Sequence, residues 1–160
     1  MAKTVAKLGI FAALAIIAAY LERLFPMPIP VPGVKLGLAN VVVIMALYTM
    51  GVKAAFGISV LRIAVVGMLF GSLFSIAYSL SGGLLSFAFM AAAKKTGIFG
   101  VVGVSVLGGV MHNIGQIVIA ALIVNNTGLF FYTPMLIIAG VLTGIFIGYI
   151  AGYSVKHAAA

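Results

Sequence analysis

Arg62 is the residue whose type and position most strongly indicate a binding site, because its guanidinium interrupts an apolar run from Ala54 to Phe70. A cation near the centre of a bilayer costs ~2.5 to 3.5 kcal/mol on insertion scales. Such a residue therefore usually faces a partner, a cavity or a ligand. We predict that Arg62 binds something and is not only part of a scaffold.

A second polar cluster lies in the apolar run 101–124, the fifth along the chain. Its residues occupy positions i, i+4, i+7 and i+8, which form one face of a predicted helix. Its members are Gly108, His112, Gly115 and Gln116. Asn113 lies about a quarter turn away. A polar stripe at mid-membrane depth should face the interior of a helix bundle. His112 alone is typical of a buried, hydrogen-bonded histidine, but together with Asn113, Gln116 and Arg62 it favours a binding site.

Two further candidates, Lys35 and Asn40, follow a segment, 26–33, that holds four of the five prolines at alternate positions. Such a segment cannot continue a helix and favours a stiff, extended form. We interpret it either as a lid on the outer face or as a rigid connector. A cation, an amide and the free N–H groups of a helix start would together favour an anion.

The composition predicts an integral membrane protein, since 65% of the 160 residues are hydrophobic, 6% are charged, and the mean hydropathy is +1.38. Nine Lys and Arg residues face a single acid, Glu22, but they are scattered between apolar runs. The positive charge therefore indicates membrane topology and not nucleic-acid binding. The absence of cysteine excludes disulfides and thiolate metal sites, and we predict neither a metal nor a cofactor.

The apolar runs predict an all-α, six-helix membrane bundle that forms one domain, 1–160. They are apolar on all faces, whereas a membrane β-barrel needs alternating polarity. The second run is short, and the break between the third and fourth is marked only by residues 70–72. The predicted spans are 5–25, 36–50, 54–71, 72–93, 101–124 and 132–155.

The cations predict the orientation of these spans in the cell membrane. Once the spans are drawn, one side carries Lys3, Lys7, Lys53, Lys94, Lys95 and Lys156. That side should be cytoplasmic, and both termini should lie on it. The opposite side has Arg23 and Lys35 beside Glu22. Because Arg62 lies deeper than Glu22, depth favours Arg23 or Lys35 as the partner of this carboxylate.

Small residues predict where helices approach closely. The sixth run carries glycine at an uninterrupted spacing of four, which creates a groove along a whole helix. These are Gly140, Gly144, Gly148 and Gly152. Alanines of the first run, including Ala15 and Ala19, offer a second small-residue face. We expect packing inside the bundle at each of these faces.

Several motifs together resemble those of the Gx transporter family, which is also described as heptaprenyl diphosphate synthase component I. They are Glu22, the run 32–40, Arg62, Ser81-Gly82-Gly83 and the run 112–116. The resemblance implies an architecture like that of the substrate-binding S components of energy-coupling factor importers. It implies cytoplasmic helix ends and a site towards the outer face, capped by the first loop, in a bacterial or archaeal cytoplasmic membrane. By the same likeness a transmembrane coupling subunit would dock on the first helix, at Gly9, Ala13, Ala15 and Ala19.

The two family descriptions imply different activities, and the residues separate them in part. Prenyl transfer from diphosphates requires Mg²⁺ held by several carboxylates, whereas this chain has one. It also lacks the glycine-rich loop that binds nucleotide phosphates. We therefore predict that the chain is not an enzyme and that ATPase subunits on other chains supply the energy.

These inferences combine into one prediction and two alternatives. The chain is expected to bind an anionic or acceptor-rich small molecule in a cavity open to the outside. The expected binding residues are Arg62, Lys35, Asn40, His112, Asn113, Gln116 and Glu22. One alternative is an accessory subunit that presents an isoprenoid diphosphate to a separate synthase. The other is a solitary ion-coupled carrier in which His112 titrates.

Overall fold

The computed structural model describes residues 2–24 and 36–158, and all the regular structure in those two ranges is helical. The helices are α1 (Ala2–Leu24), α2 (Leu38–Thr49), α3 (Val52–Phe70), α4 (Leu73–Thr96), α5 (Val101–Val124) and α6 (Thr133–Ala158). A short 3₁₀ helix, Thr127–Tyr132, precedes α6. The all-α prediction is confirmed, although this 3₁₀ helix was not anticipated.

Five of the helical segments are long and apolar enough to cross a membrane. The exception is α2, which has 12 residues. At ~1.5 Å per residue it is ~18 Å long, whereas the hydrocarbon core of a bilayer is ~30 Å thick. The prediction of six full spans is therefore not confirmed for the second one, and the orientation of the termini stays a prediction.

The break between α3 and α4 falls where the sequence indicated it. Gly71 ends α3, and Ser72 begins α4 with a reciprocal pair of hydrogen bonds. The Ser75 N–H donates to the Ser72 hydroxyl at 3.2 Å, and the Ser72 N–H donates to the Ser75 hydroxyl at 2.9 Å. These bonds satisfy N–H groups that a helix start leaves free, so two long helices are joined by only two residues.

The short helix α2 lies inside the bundle, where it packs against α1, α3 and α6. Val43, Ile44, Ala46 and Leu47 of α2 are almost completely buried. A helix that is apolar all round and short can be stable only when its neighbours cover it. The start of α2 is therefore held at a fixed place among the longer helices, which matters for the site described below.

Three of the four regularly spaced glycines of α6 face the backbone of α5. A Cβ atom at Gly144 would lie 2.6 Å from the Val106 Cα, and one at Gly140 would lie 2.9 Å from the Gly109 carbonyl. At Gly148 the nearest atom would be 2.7 Å away, but at Gly152 it would be 3.7 Å away. The glycine groove thus permits close contact between α5 and α6, except at its last member.

Lys94 at the end of α4 binds the end of α2. Its ammonium donates to the Leu47 carbonyl and lies 4.8 Å from the centre of the Tyr48 ring. A hydrogen bond from a charged group contributes ~1.5–3 kcal/mol.

We expect Lys94→Met to lower the free energy of unfolding by about 1–3 kcal/mol, measured by denaturant titration of the reconstituted protein. The exposed neighbour offers a control, since Lys95→Met should have little effect, and equal losses in both variants would contradict this role.

Candidate functional site

A cavity of about 400 Å³ lies where α1 ends and α2 begins, and all six helices contribute to its wall. Its polar lining includes one carboxylate, two guanidiniums, an imidazole, two amides and three hydroxyls. These are Glu22, Arg23, Asn40, Arg62, Ser75, Ser79, His112, Asn113 and Thr143. Apolar residues such as Ile63, Val66 and Ile147 complete it. Most of the polar residues named in the sequence therefore meet at one place.

Arg62 projects from the middle of α3 and retains hydrogen-bonding capacity. Its Nη2 donates to the Asn40 Oδ1 at 3.4 Å, which is longer than the ~2.7–3.2 Å usual for such bonds. Its Nε is buried and has no hydrogen-bond partner among the described residues. A guanidinium has five N–H donors, and a buried donor without an acceptor is costly. The described residues thus leave this cation incompletely hydrogen-bonded.

Glu22 lies in the last turn of α1, and its carboxylate accepts a hydrogen bond from the backbone N–H of Gly37. Glu22, Arg23 and Arg62 all line the cavity, and which cation pairs with the Glu22 carboxylate stays a prediction. Lys35 and the segment 26–33 lie outside the described residues.

His112 and Asn113 reach the cavity from adjacent positions on α5. The Asn113 amide nitrogen donates to the Leu136 carbonyl of α6 at 2.7 Å, and the residue is 8% exposed. That bond fixes the orientation of the amide and leaves its oxygen and its second N–H for other contacts. His112 lies beside Gly82 of α4, where a Cβ would come within 3.1 Å of the imidazole Cε1.

Gln116 does not line the cavity, although the helix pattern placed it on the same face as His112. It is 2% exposed and packs against Gly82, where a Cβ would lie 2.7 Å from the Gln116 Cγ. One turn beyond His112, α4 and α5 are in near backbone contact, because a Cβ at Gly115 would lie 2.8 Å from the Ser81 carbonyl oxygen. Close contact between α4 and α5 at this level leaves Gln116 buried between the helices.

The buried Gln116 provides a test of this assignment. Its Nε2 has no hydrogen-bond partner among the described residues, which costs ~1–3 kcal/mol for a buried amide. We expect Gln116→Met, which keeps a similar volume, to retain or raise the free energy of unfolding and to leave the amount of co-purifying ligand unchanged. Asn113→Leu is the contrasting variant and should destabilise the protein, because it breaks a buried bond. Loss of ligand from Gln116→Met would show that Gln116 is part of the binding site.

No hydroxyl group was among the predicted binding residues. Ser75 and Ser79 are four residues apart on α4, and both line the cavity. Thr143 of α6 also lines it, although its hydroxyl donates to the Ala139 carbonyl at 2.8 Å. The signal that could have identified the serines is their shared helix face at the same depth as Arg62.

The four residues suggested for partner docking do not form one surface. Gly9 and Ala13 are exposed, with open space around Gly9. Ala15 is completely buried in the core, and Ala19 lines the cavity. Ala15 has no exposed surface and Ala19 is partly exposed, so the docking role of the four residues stays a prediction.

Comparisons with known proteins place the chain in a family. Neither a curated protein nor a solved structure matches it. The family model described as heptaprenyl diphosphate synthase component I matches residues 11–154, which contain α2 to α5 and the 3₁₀ helix in full and parts of α1 and α6. The family resemblance noted in the sequence is confirmed, and it agrees with a membrane-associated component. This chain belongs to the heptaprenyl diphosphate synthase component I family.

Proposed function

We propose that this chain is the substrate-binding membrane subunit of an importer of the energy-coupling factor type, and that it captures an anionic small molecule. The observation that carries the proposal is the Arg62 guanidinium, which has a buried donor without a partner among the described residues and lies at a cavity of about 400 Å³. Binding sites for small molecules typically have volumes of ~300–1,000 Å³.

The charge of the cavity wall supports an anionic ligand. Among the described lining residues, Arg23 and Arg62 contribute two positive charges and Glu22 one negative charge, so the balance is 2 − 1 = +1. A guanidinium binds carboxylates and phosphates through two parallel hydrogen bonds. The surrounding apolar residues lower the effective dielectric constant and strengthen that attraction.

The energy for import would come from other chains. This sequence has no glycine-rich loop for nucleotide phosphates, so a coupling subunit and ATPases would drive transport. Within this proposal residues 1–160 form one transmembrane domain in the cell membrane with cytoplasmic termini. The exposed residues Gly9 and Ala13 on α1 remain as candidates for contact with the coupling subunit.

The family description favours a second candidate, an accessory subunit that presents an isoprenoid diphosphate to a separate synthase. A basic cavity would suit a diphosphate, and lipid-facing grooves would suit an isoprenoid tail. With a single carboxylate, the chain cannot by itself hold the Mg²⁺ that prenyl transfer needs. In this case too the chain would bind and not catalyse.

Affinity purification of the tagged protein from native membranes tests the proposal. We expect a membrane coupling protein and two ATPases to co-purify. A soluble, carboxylate-rich synthase in their place would favour the second candidate. Uptake of solute by liposomes that contain only this chain would contradict both and would support a solitary carrier, with His112 as the titrating group.

A further inference from the structure

The carboxylate of Glu22 occupies the position in the cavity at which an anionic ligand would meet its donors. It accepts a hydrogen bond from the Gly37 N–H, and both residues line the cavity together with Arg62. We propose that a carboxylate on the ligand replaces the Glu22 carboxylate at the Gly37 N–H and accepts hydrogen bonds from the Arg62 guanidinium, so that the site selects carboxylates with a single charge. This inference rests on the proposed function of the cavity as a ligand site.

The donors at this position are better suited to an incoming carboxylate than to their present partners. The bond from Arg62 to Asn40 is 3.4 Å long, and the Arg62 Nε has no partner among the described residues. A carboxylate can accept from two guanidinium N–H groups at once at ~2.7–2.9 Å. Exchange of Glu22 for the ligand would therefore provide an acceptor for a buried donor that has none among the described residues.

The charges of the described cavity wall favour a ligand with one negative charge. Arg23 and Arg62 together neutralise Glu22 and one further anionic group. A second negative charge would be uncompensated in an environment of low dielectric constant, which is costly. A phosphate monoester already carries about −1.5 to −2 charges at pH 7. A carboxylate is thus the preferred anion, and a diphosphate is disfavoured.

Exchange would also change the connection between two helices. Glu22 belongs to α1, whereas Gly37 immediately precedes α2. Their hydrogen bond ties the end of one helix to the start of the next. When a ligand takes the place of Glu22, the hydrogen bond between α1 and the start of α2 is lost. Binding in the cavity would therefore change the position of α1.

Glu22→Gln tests the exchange, because glutamine keeps the size of the side chain and an oxygen that can accept from Gly37. It removes the charge and raises the balance of the described wall from +1 to +2. Titration calorimetry in lipid nanodiscs would measure the dissociation constants of acetate, benzoate, inorganic phosphate and pyrophosphate. In the wild type we expect benzoate to bind more tightly than phosphate or pyrophosphate. In Glu22→Gln we expect benzoate to bind about tenfold more tightly and phosphate to gain measurable binding.

Two outcomes would overturn the inference, and one of them requires no variant. Tighter binding of pyrophosphate than of either carboxylate by the wild type would show that the site does not select single charges. Unchanged carboxylate affinity in a folded Glu22→Gln protein, verified by its helical circular dichroism, would show that Glu22 does not compete with the ligand.

Controls separate failure of this inference from failure of the proposed function. Lys53→Gln changes one charge at an exposed position on α3 away from the cavity wall and should leave all affinities unchanged. Arg62→Gln should abolish benzoate binding in both backgrounds. If Arg62→Gln retains wild-type affinity, the cavity is not the anion site and both proposals fail. If Arg62→Gln loses benzoate binding but Glu22→Gln binds like the wild type, the proposed exchange of Glu22 is wrong and the proposed function is not affected.

Discussion

Arg62→Gln is expected to lower the affinity for the native ligand by roughly 100-fold or more. Two hydrogen bonds from a charged donor contribute ~1.5–3 kcal/mol each, and ~1.4 kcal/mol corresponds to a tenfold change in affinity. The ligand should therefore be lost during purification. Mass spectrometry of small molecules released from the denatured protein would measure this, with wild-type protein prepared in parallel.

Two matched variants define what the loss means. Arg62→Lys keeps the charge but not the planar pair of donors, and we expect intermediate retention of the ligand. Lys53→Gln removes a cation that does not line the cavity and should retain it fully. If Arg62→Gln retains wild-type amounts of ligand, Arg62 does not bind the ligand and interacts only with groups of the protein such as Asn40.

The second large effect is expected at Gly144, where α6 meets the α5 backbone. A Cβ there would lie 2.6 Å from the Val106 Cα and 3.0 Å from the Ser105 carbonyl oxygen, and backbone atoms cannot rotate away. Overpacking of this kind costs ~1–3 kcal/mol. We expect Gly144→Ala to lower the free energy of unfolding by about 2–3 kcal/mol, and Gly144→Val by more, in denaturant titrations followed by circular dichroism.

Gly152 provides the control for this effect on the same helix. Its added Cβ would be no closer than 3.7 Å to Val101, which is an ordinary contact. Alanine also favours a helix over glycine by ~0.5–1 kcal/mol. Gly152→Ala should therefore be neutral or slightly stabilising, and a loss equal to that of Gly144→Ala would show that the groove is not specific to the contact with α5.

The sequence predicts those parts of the fold that depend on hydrophobic length and on helix breakers. The all-α class and the α3–α4 break at residues 70–72 are of this kind, since a bilayer requires long apolar helices and glycine ends them. Arg62 and His112 also stood out, because a polar residue in an apolar run is costly unless something interacts with it. The structure brings both of them to one cavity.

The remaining details depend on distances between helices, which a periodic pattern does not encode. Helix periodicity assigned Gln116 to the face of His112, but α4 and α5 approach closely at Gly82 and Gly115, and Gln116 is buried there. Ala15 is buried, as its small-residue spacing predicted, whereas its docking role was implied only by the family resemblance. The contact of Glu22 with Gly37 likewise depends on how α1 and α2 meet.

An experimental structure of the protein in lipid nanodiscs, with its co-purified molecule retained, tests the central claim most directly. Our account predicts an anionic group of that molecule within hydrogen-bond distance of the Arg62 guanidinium, inside the cavity that Asn40 and His112 also line. A structure in which these side chains bind only one another, with no space left between them, would contradict it.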